Sequence, residues 1–382
     1  MTLRPYLPLL AASLAMMPLF ARAVLAEPEP QVSAPVQHDN IAVYFLRGVS
    51  APGVVPDTLQ EALARGTVEV HETGNVRELK IENKGDTPVF VQFGDIVKGG
   101  QQDRVLTVSL LLQPKSGVVP IGAYCVEQGR WAARGAEDVR RFALSESIMP
   151  SREAKIAMAK PQAAPRAALG AQGVPPPAQR RQEIGEISRD INRLTRDLER
   201  EQQRRNLPGN GDSQGDVWRS VGLVQQQLTA NLAAPVASEK SHTSLQLSLE
   251  HEKLKAAQTA YLGAIEPPGL NDNEIIGVVI AVNGRVSSAD VYPSNGLFRK
   301  MWPKLARAAA TEALAAKTVT DAGPAPDVAV IAAFLKAAET GEKTERELGG
   351  LARLETRDGD KALRIDTRGA TGQVLHRNYL AK

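Results

Sequence analysis

Between Val68 and Val126 apolar and polar positions alternate in short runs broken by turn residues, which is the pattern of one strand after another. The runs are "VEVHE", "VRELKIEN", "PVFVQF", "DRVLTVSLLLQ" and "VVPIGAYCV"; "KGDT" and "PKSG" are turns, and "GDIVKGGQQ" reads as a glycine-bearing loop. In "DRVLTVSLLLQ", Leu106, Val108, Leu110 and Leu112 share one face while Val105, Thr107 and Ser109 share the other. That alternation suits a sheet with one face against a core, and it predicts an antiparallel meander.

The flanks predict further elements. "IAVYFLRG" reads as a first strand, and "DTLQEALARG" as a short helix with Asp57 as N-cap and Gly66 just past its end. The stretch Arg134–Ala159 reads as helical. Beyond it "AKPQAAPRAALGAQGVPPPAQ" has no apolar period and the composition of a flexible, disordered linker. Then Ile184, Ile187, Ile191, Leu194 and Leu198 recur at spacings of 3, 4, 3 and 4, a short heptad seam flanked by the i,i+4 pairs Arg193–Asp197 and Glu201–Arg205. Two readings of that seam stand open: a helix packed on its own domain, or a coiled-coil contact with a second copy or a partner through Ile184–Leu198. Residues 159–216 are therefore expected to be an insertion, part linker and part amphipathic helix.

After it, Val217, Val221, Val224 and Leu228 line one helix, and a second helix is expected from near Ser241 to Ile265, stopped by "EPPG". "NEIIGVVIAVNGRVSSADVYP" predicts a hairpin turning at Asn283-Gly284. A helix with Phe298, Met301, Trp302 and Leu305 inward, a helix at "DVAVIAAFLKAAE" and a closing strand pair around "RDGD" complete the chain. Strands, then helices, then both again predict an α+β fold: a meander or sandwich-like antiparallel sheet packed with several helices.

Composition adds an address. "MTLRPYLPLLAASLAMMPLFARAVLA" has a basic start, an apolar stretch and small residues at Val24 and Ala26, the layout of a signal peptide cleaved after Ala26. Pro8, Pro18 and Arg22 interrupt it, which disfavours a spanning helix. The expected organisation is a signal peptide over 1–26, a flexible leader over 27–39, and one α+β domain over 40–382. The protein is expected to be periplasmic or secreted, with no stable membrane insertion after cleavage. Loss of residues 1–26, which hold Arg4 and Arg22 and no acid, lowers the net charge from +3 to +1. So small a charge, with few aromatics among the basic residues, argues against nucleic acid as a partner. Cys125 is the only cysteine, so no disulfide forms within the chain.

In a meander, "CVEQGRW" emerges at the same rim as the loop Gly94–Gln102, so two polar stretches converge at one sheet edge. Glu127 is the candidate general acid or base. Gln101, Gln102, Asp103, Arg104, Gln128, Arg130 and Trp131 are candidate ligand contacts: the arginines to clamp a phosphate or carboxylate, the indole to stack. The alternative is a structural network in which Arg104 or Arg130 pairs with Glu127 and Trp131 seals the end of the core. Whether the chain is an enzyme is left open by these residues. No histidine spacing suits a metal, no phosphate-binding loop ends in Gly-Lys-Ser/Thr, and no Gly-x-Ser-x-Gly elbow occurs, so no metal or cofactor is expected.

Several of these stretches, in this order, carry a resemblance. "ELKIENKGDTPVFVQFGDIVKGGQQDRVLTVSLLL", "CVEQGRW", "IIGVVIAVNGRV" and "LFRKMWPKLARAAATEAL" resemble the ADP-ribosylglycohydrolase- and rhodanese-phosphatase-superfamily-associated protein domain, over roughly Ile41 to Leu380. That family is named for its gene neighbours. The resemblance implies a role linked to ADP-ribose or other NAD-derived nucleotides and carries over no catalytic residues. Two functions follow as expectations: binding or hydrolysis of a small anionic ligand at the sheet rim, or a non-catalytic structural or protein-interaction module.

The address has a direct test. N-terminal sequencing of the exported protein should read from Glu27, and a mature chain still beginning at Met1 would overturn the leader reading.

Overall fold

A computed structural model describes residues 30–135, 138, 141–160, 213–317 and 323–382. The expected signal peptide and the expected Ile184–Leu198 helix lie outside the described residues. The chain enters through β1 (Gln31–Val32), β2 (Val36–His38), β3 (Ile41–Arg47), β4 (Asp57–Thr58) and helix α1 (Leu59–Ala64). Then come β5 (Val68–Glu72), β6 (Glu78–Asn83), β7 (Val89–Val91), β8 (Asp95–Gly99), β9 (Arg104–Leu106), β10 (Leu110–Leu112), β11 (Gly117–Cys125) and β12 (Phe142–Ile148). Helices α2 (Arg152–Ala159), α3 (Ser213–Asn231), α4 (Leu245–Leu249) and α5 (Glu252–Asn271) follow. The hairpin β13 (Ile275–Val282) and β14 (Arg285–Val291) precedes α6 (Asn295–Ala316) and α7 (Val328–Ala337). The strands β15 (Glu342–Leu348), β16 (Ala352–Asp358), β17 (Ala362–Gly369) and β18 (Val374–Ala381) end the chain.

The fold is α+β. One nine-stranded sheet runs β1-β3-β13-β14-β18-β17-β16-β15 with β2 on β3; a six-stranded sheet runs β12-β8-β9-β11-β6-β5; a three-stranded one runs β10-β7-β4. Pairing is antiparallel except between β4 and β7. The central strands are covered on both faces, which explains their near-continuous apolar sequences. On β3, Ile41, Val43 and Phe45 enter the main core with Trp302 and Ile280, while Ala42, Tyr44 and Leu46 face α7 through Ile331. Helix α6 fills the main core. It packs on β3 and β13 on one side and on β12 of the six-stranded sheet on the other. Its Phe298, Met301, Trp302 and Leu305 are buried, as its period requires, and Phe45 meets Trp302 edge-on at 5.4 Å.

Expected hairpin geometry is present: Asn283 and Gly284 have φ of 50° and 70°, the two positive values that a type I′ turn needs. Val217, Val221, Val224 and Leu228 form the buried stripe of α3. This helix begins at Ser213, so residues 213–216, assigned from sequence to the insertion, belong to it.

Other expectations are corrected. "DRVLTVSLLLQ" is two strands in different sheets: Arg104–Leu106 pairs with β11, which Thr107 N–H extends to Gly122 O, and Leu110–Leu112 pairs with β7. Both of its faces are buried. Asp95–Gly99 is a strand between β9 and β12, not a loop. Arg134–Ala159 is not one helix: "FALSESI" forms β12, and a helix starts only after Pro150, where Ser151 caps the Ala154 amide. Thr58, not Asp57, caps α1, in a capping box with Glu61. The expected Ser241–Ile265 helix is divided into α4 and α5, and the closing strands are four.

Helix α5 also runs through Pro267 and Pro268 to Asn271 instead of stopping at Ile265. Each proline deletes one helical N–H, but tertiary packing holds the last turn. Trp302 donates its indole N–H to Glu266 O at 2.9 Å, and a Cβ on Gly269 would lie 2.4 Å from that indole nitrogen. Gly269→Ala should therefore destabilise the protein by about 1–3 kcal/mol in denaturant unfolding, through overpacking. An unchanged midpoint would show that α5 and α6 are not in close contact there.

Candidate functional site

The two polar stretches meet at one sheet edge as expected, although β11 lies between β9 and β6 and "PVFVQF" lies in another sheet, so the strands do not follow one another as a simple meander. Strand β11 runs antiparallel to β9 with Cys125 opposite Arg104, and Val126 N–H extends the ladder to Asp103 O at 3.0 Å. Glu127 therefore lands beside the β8–β9 turn. In that turn Gly99 and Gly100 have positive φ, and a Cβ on Gly99 would meet Arg141 O at 2.5 Å. The glycines let the turn pass against the start of β12.

Four charged side chains converge there. Arg130 Nη2 lies 2.6 Å from Glu127 Oε2 and 3.5 Å from Asp103 Oδ1. Arg134 Nη1 lies 2.9 Å from Asp103 Oδ2 and 3.4 Å from Glu127 Oε1. Asp103 and Glu127 are 0% exposed, and Arg134 is 6% exposed. The remaining lone pairs are also engaged. Asp103 N–H donates to Glu127 Oε2 (3.2 Å), and Ser244 Oγ donates to Asp103 Oδ2 (2.8 Å) while capping α4 at Leu247 N–H. Gln102 Nε2 donates to Glu127 O at 3.1 Å, and Arg130 also reaches Gly99 O and Gly100 O.

The environment pushes the two acids apart. Burial would raise Glu127, but hydrogen bonds from Arg130, Ser241 and the Asp103 amide outweigh it and hold the carboxyl below its ordinary value. Burial raises Asp103, and the Glu127 charge adds to that against the pull of Arg134. A raised and a lowered carboxyl side by side is an acid–base arrangement in form. A catalytic proton, however, must reach a substrate atom at hydrogen-bond distance, and neither carboxyl has a surface to offer.

The other predicted residues separate from this group. Arg104 was expected beside Glu127 and is not among its partners. Its guanidinium donates to Val76 O (2.8 Å) and meets Glu72 Oε2 at 3.5 Å, at the β5–β6 connection. Trp131, 44% exposed, lies 5.3 Å from the Arg104 carbon, so this indole covers the chain's own arginine by a cation–π contact. Gln101 N–H bonds Glu72 Oε1. Gln128 is exposed, and its carbonyl accepts from Thr243. Cys125 is buried, its Sγ bonding Glu127 O at 3.0 Å, and burial raises the thiol, so it is poorly nucleophilic. Arg134 and Ser244 were missed. Arg134 was assigned to the first residue of a helix that does not form there, and Ser244 to the interior of a longer helix.

A second polar chain escaped the motif search. Ser109 Oγ lies 2.9 Å from His376 Nδ1, and His376 Nε2 lies 3.0 Å from Asp290 Oδ1. The order resembles a nucleophile relay, but the three residues are 1%, 1% and 3% exposed. Ser109 Oγ also accepts Phe93 N–H, and Asn378 donates to Asp290. It is a core joint between sheets. Glu69, His71 and Glu82 also gather on β5 and β6, but Lys84 Nζ already sits 2.7 Å from Glu69.

No helix among the described residues is long and apolar enough to cross a membrane. No curated protein and no solved structure matches the chain. The model of one family matches residues 29–380, a span that holds the three sheets, the rim and the helices packed on it. The chain belongs to the ARG and Rhodanese-Phosphatase-superfamily-associated Protein domain family.

Proposed function

We propose that this protein is an exported, non-catalytic module in which the rim cluster is a charge clamp that docks the helical layer onto the sheet. The observation that carries this reading is the complete burial of Asp103 and Glu127, each within reach of both arginines. The set is neutral as a whole and its hydrogen bonds go inward. A second reading keeps the rim as a site for binding or hydrolysis of a small anion. Four enclosed polar atoms there, Gln101 Oε1, Gln102 Oε1, Arg104 Nε and Arg130 Nε, have no protein partner and favour it. The family's association would make that anion ADP-ribose or another NAD-derived nucleotide.

Glu127→Gln separates the two. As a clamp residue, its loss leaves Arg130 under-compensated, and thermal unfolding should fall by on the order of 3 kcal/mol in stability. In a ligand site the same change should leave the melting temperature nearly intact and abolish the thermal shift given by ADP-ribose or simple phosphoesters. A stable Glu127→Gln protein that loses such a shift would overturn the clamp.

Acid unfolding gives an independent measure. Because Glu127 is lowered in the folded state, its contribution is fully present above its ordinary value of 4.5 and is lost as the pH falls through the lower folded value. Asp103 is raised and works in the opposite sense, its burial becoming less costly as it takes up a proton. Wild-type protein should therefore lose stability below pH 4.5 more steeply than Glu127→Gln, while parallel pH profiles would show that Glu127 is not the stabilising acid.

A further inference from the structure

Strand β15 closes the nine-stranded sheet. It pairs with β16 on one side, and among the described residues no strand pairs with the other. Its residues from Glu342 to Glu347 are all exposed, so a row of backbone donors and acceptors stands open to solvent. The other long edge strand, β12, lies instead against α6. Along β15 the sequence is "EKTERE", in which charges of both signs surround one uncharged residue, Thr344.

Those charges are self-complementary in one register. Along an antiparallel ladder, directly opposed pairs alternate between hydrogen-bonded and non-hydrogen-bonded, so a strand pairing with its own copy about a two-fold axis must set one residue opposite itself. Centring on any of the charged residues sets like charges face to face, and Leu348 stands at the hairpin turn, where too little strand remains to pair. Centring on Thr344 sets Lys343 opposite the copy's Glu345 and Glu342 opposite the copy's Arg346, each pair occurring twice. Glu342 and Arg346 enter no ion pair among the described residues, so each would gain its first. On the other face a chain of opposite charges crosses the sheet and stops at this edge. Arg377 lies 2.9 Å from Asp366, Arg368 3.5 Å from Asp366 and 3.7 Å from Glu355, and Lys343 3.4 Å from Glu355 and 2.6 Å from Glu345. Charge also guards edge strands against pairing, but a guard of one sign repels a copy in every register. Here the signs alternate, and one register is attractive throughout.

We infer that β15 is an interaction surface for a second copy of this chain: the two strands pair antiparallel about Thr344, and the nine-stranded sheet of one protomer continues into that of the other. Main-chain hydrogen bonds join the edges, and the four opposite-charge pairs fix the register. The contact is small, well short of the roughly 20–30 residues a side of a standard interface, so the dimer is reversible. Its ion pairs are exposed, so salt weakens it. The inference is independent of the clamp, which uses none of these side chains.

Analytical ultracentrifugation of the purified protein at low salt, from about 1 to 200 μM, tests it. A monomer–dimer equilibrium is expected. Arg346→Glu alone and Glu342→Arg alone, both at exposed positions where folding is not at stake, should each weaken the dimer about tenfold, because each turns two attractive pairs into repulsive ones. An equimolar mixture of the two variants should dimerise like wild type, since every pair across the axis is then opposite in sign again. Thr344→Cys should form an interchain disulfide on mild oxidation, because directly opposed Cα atoms lie about 4.5–5.5 Å apart, within disulfide reach. Arg346→Cys, whose two copies would be offset along the ladder, should not. A protein that is monomeric at every concentration would overturn the inference. So would a dimer that both single variants leave unchanged, which is held by another surface, a mixture no better than its components, or cross-linking of Arg346→Cys as readily as Thr344→Cys. The clamp stands or falls separately, on the unfolding of Glu127→Gln.

Discussion

Asp103 and Glu127 lie side by side without access to water, and two like charges so placed repel strongly in a medium of low dielectric constant. Arg130 and Arg134 make the arrangement tenable, and they do so only as a set, since each guanidinium serves both carboxylates. The consequence is structural reach. Asp103 belongs to the β8–β9 turn, Glu127 and both arginines to the chain leaving β11, and Ser244 to the start of α4. The position of the helices on the six-stranded sheet thus depends on a neutral cluster in which any deletion strands a buried charge.

The same logic recurs inside the core, where elements of different sheets meet. Tyr292 of the chain following β14 donates to Gln92 Oε1 at 2.7 Å, and Asp95 accepts Gln92 N–H at 3.0 Å while pairing with Lys304 of α6. Ser109, His376 and Asp290 join the β9–β10 break to β18 and β14. Apolar packing alone is non-directional and tolerates sliding. These hydrogen bonds have one geometry each, and they tie α6 and the two large sheets to one another at specific residues.

Much of this was legible in the sequence, and the failures share a cause. Apolar runs identified β3, β11 and β13 as strands, and Asn283-Gly284 marked its turn correctly, because in each case a local pattern and the tertiary environment agree. The convergence of "EQGRW" with the β8–β9 turn followed from strand direction alone. Partner choice did not. Arg104 and Arg130 are equivalent in sequence, yet register sends one toward Glu72 and the other to Glu127. Arg134 and Ser244 lie in segments read as continuous helix, which hid the irregular chain that carries the one and the helix start that the other caps. The break at Thr107–Ser109 was hidden because these two residues fit the alternation of one continuous strand. Pro267 and Pro268 misled in the other direction. A local breaker was overruled by the packing of Trp302 against Gly269.

Charge beside the β8–β9 turn is spent inside the protein. In the clamp every carboxylate oxygen has a partner, and the interaction is spent on holding the fold. Beyond the clamp, Glu250 neutralises Lys98 and also feels the charge of Lys255. A buried ion pair contributes little net energy once desolvation is counted, so it selects geometry more than it stabilises. Conspicuous polar residues in a sequence therefore need not mark the reactive place. Here Glu127 and Arg130, which stand out in "CVEQGRW", are held by each other and by Asp103 and Arg134 beside the start of α4.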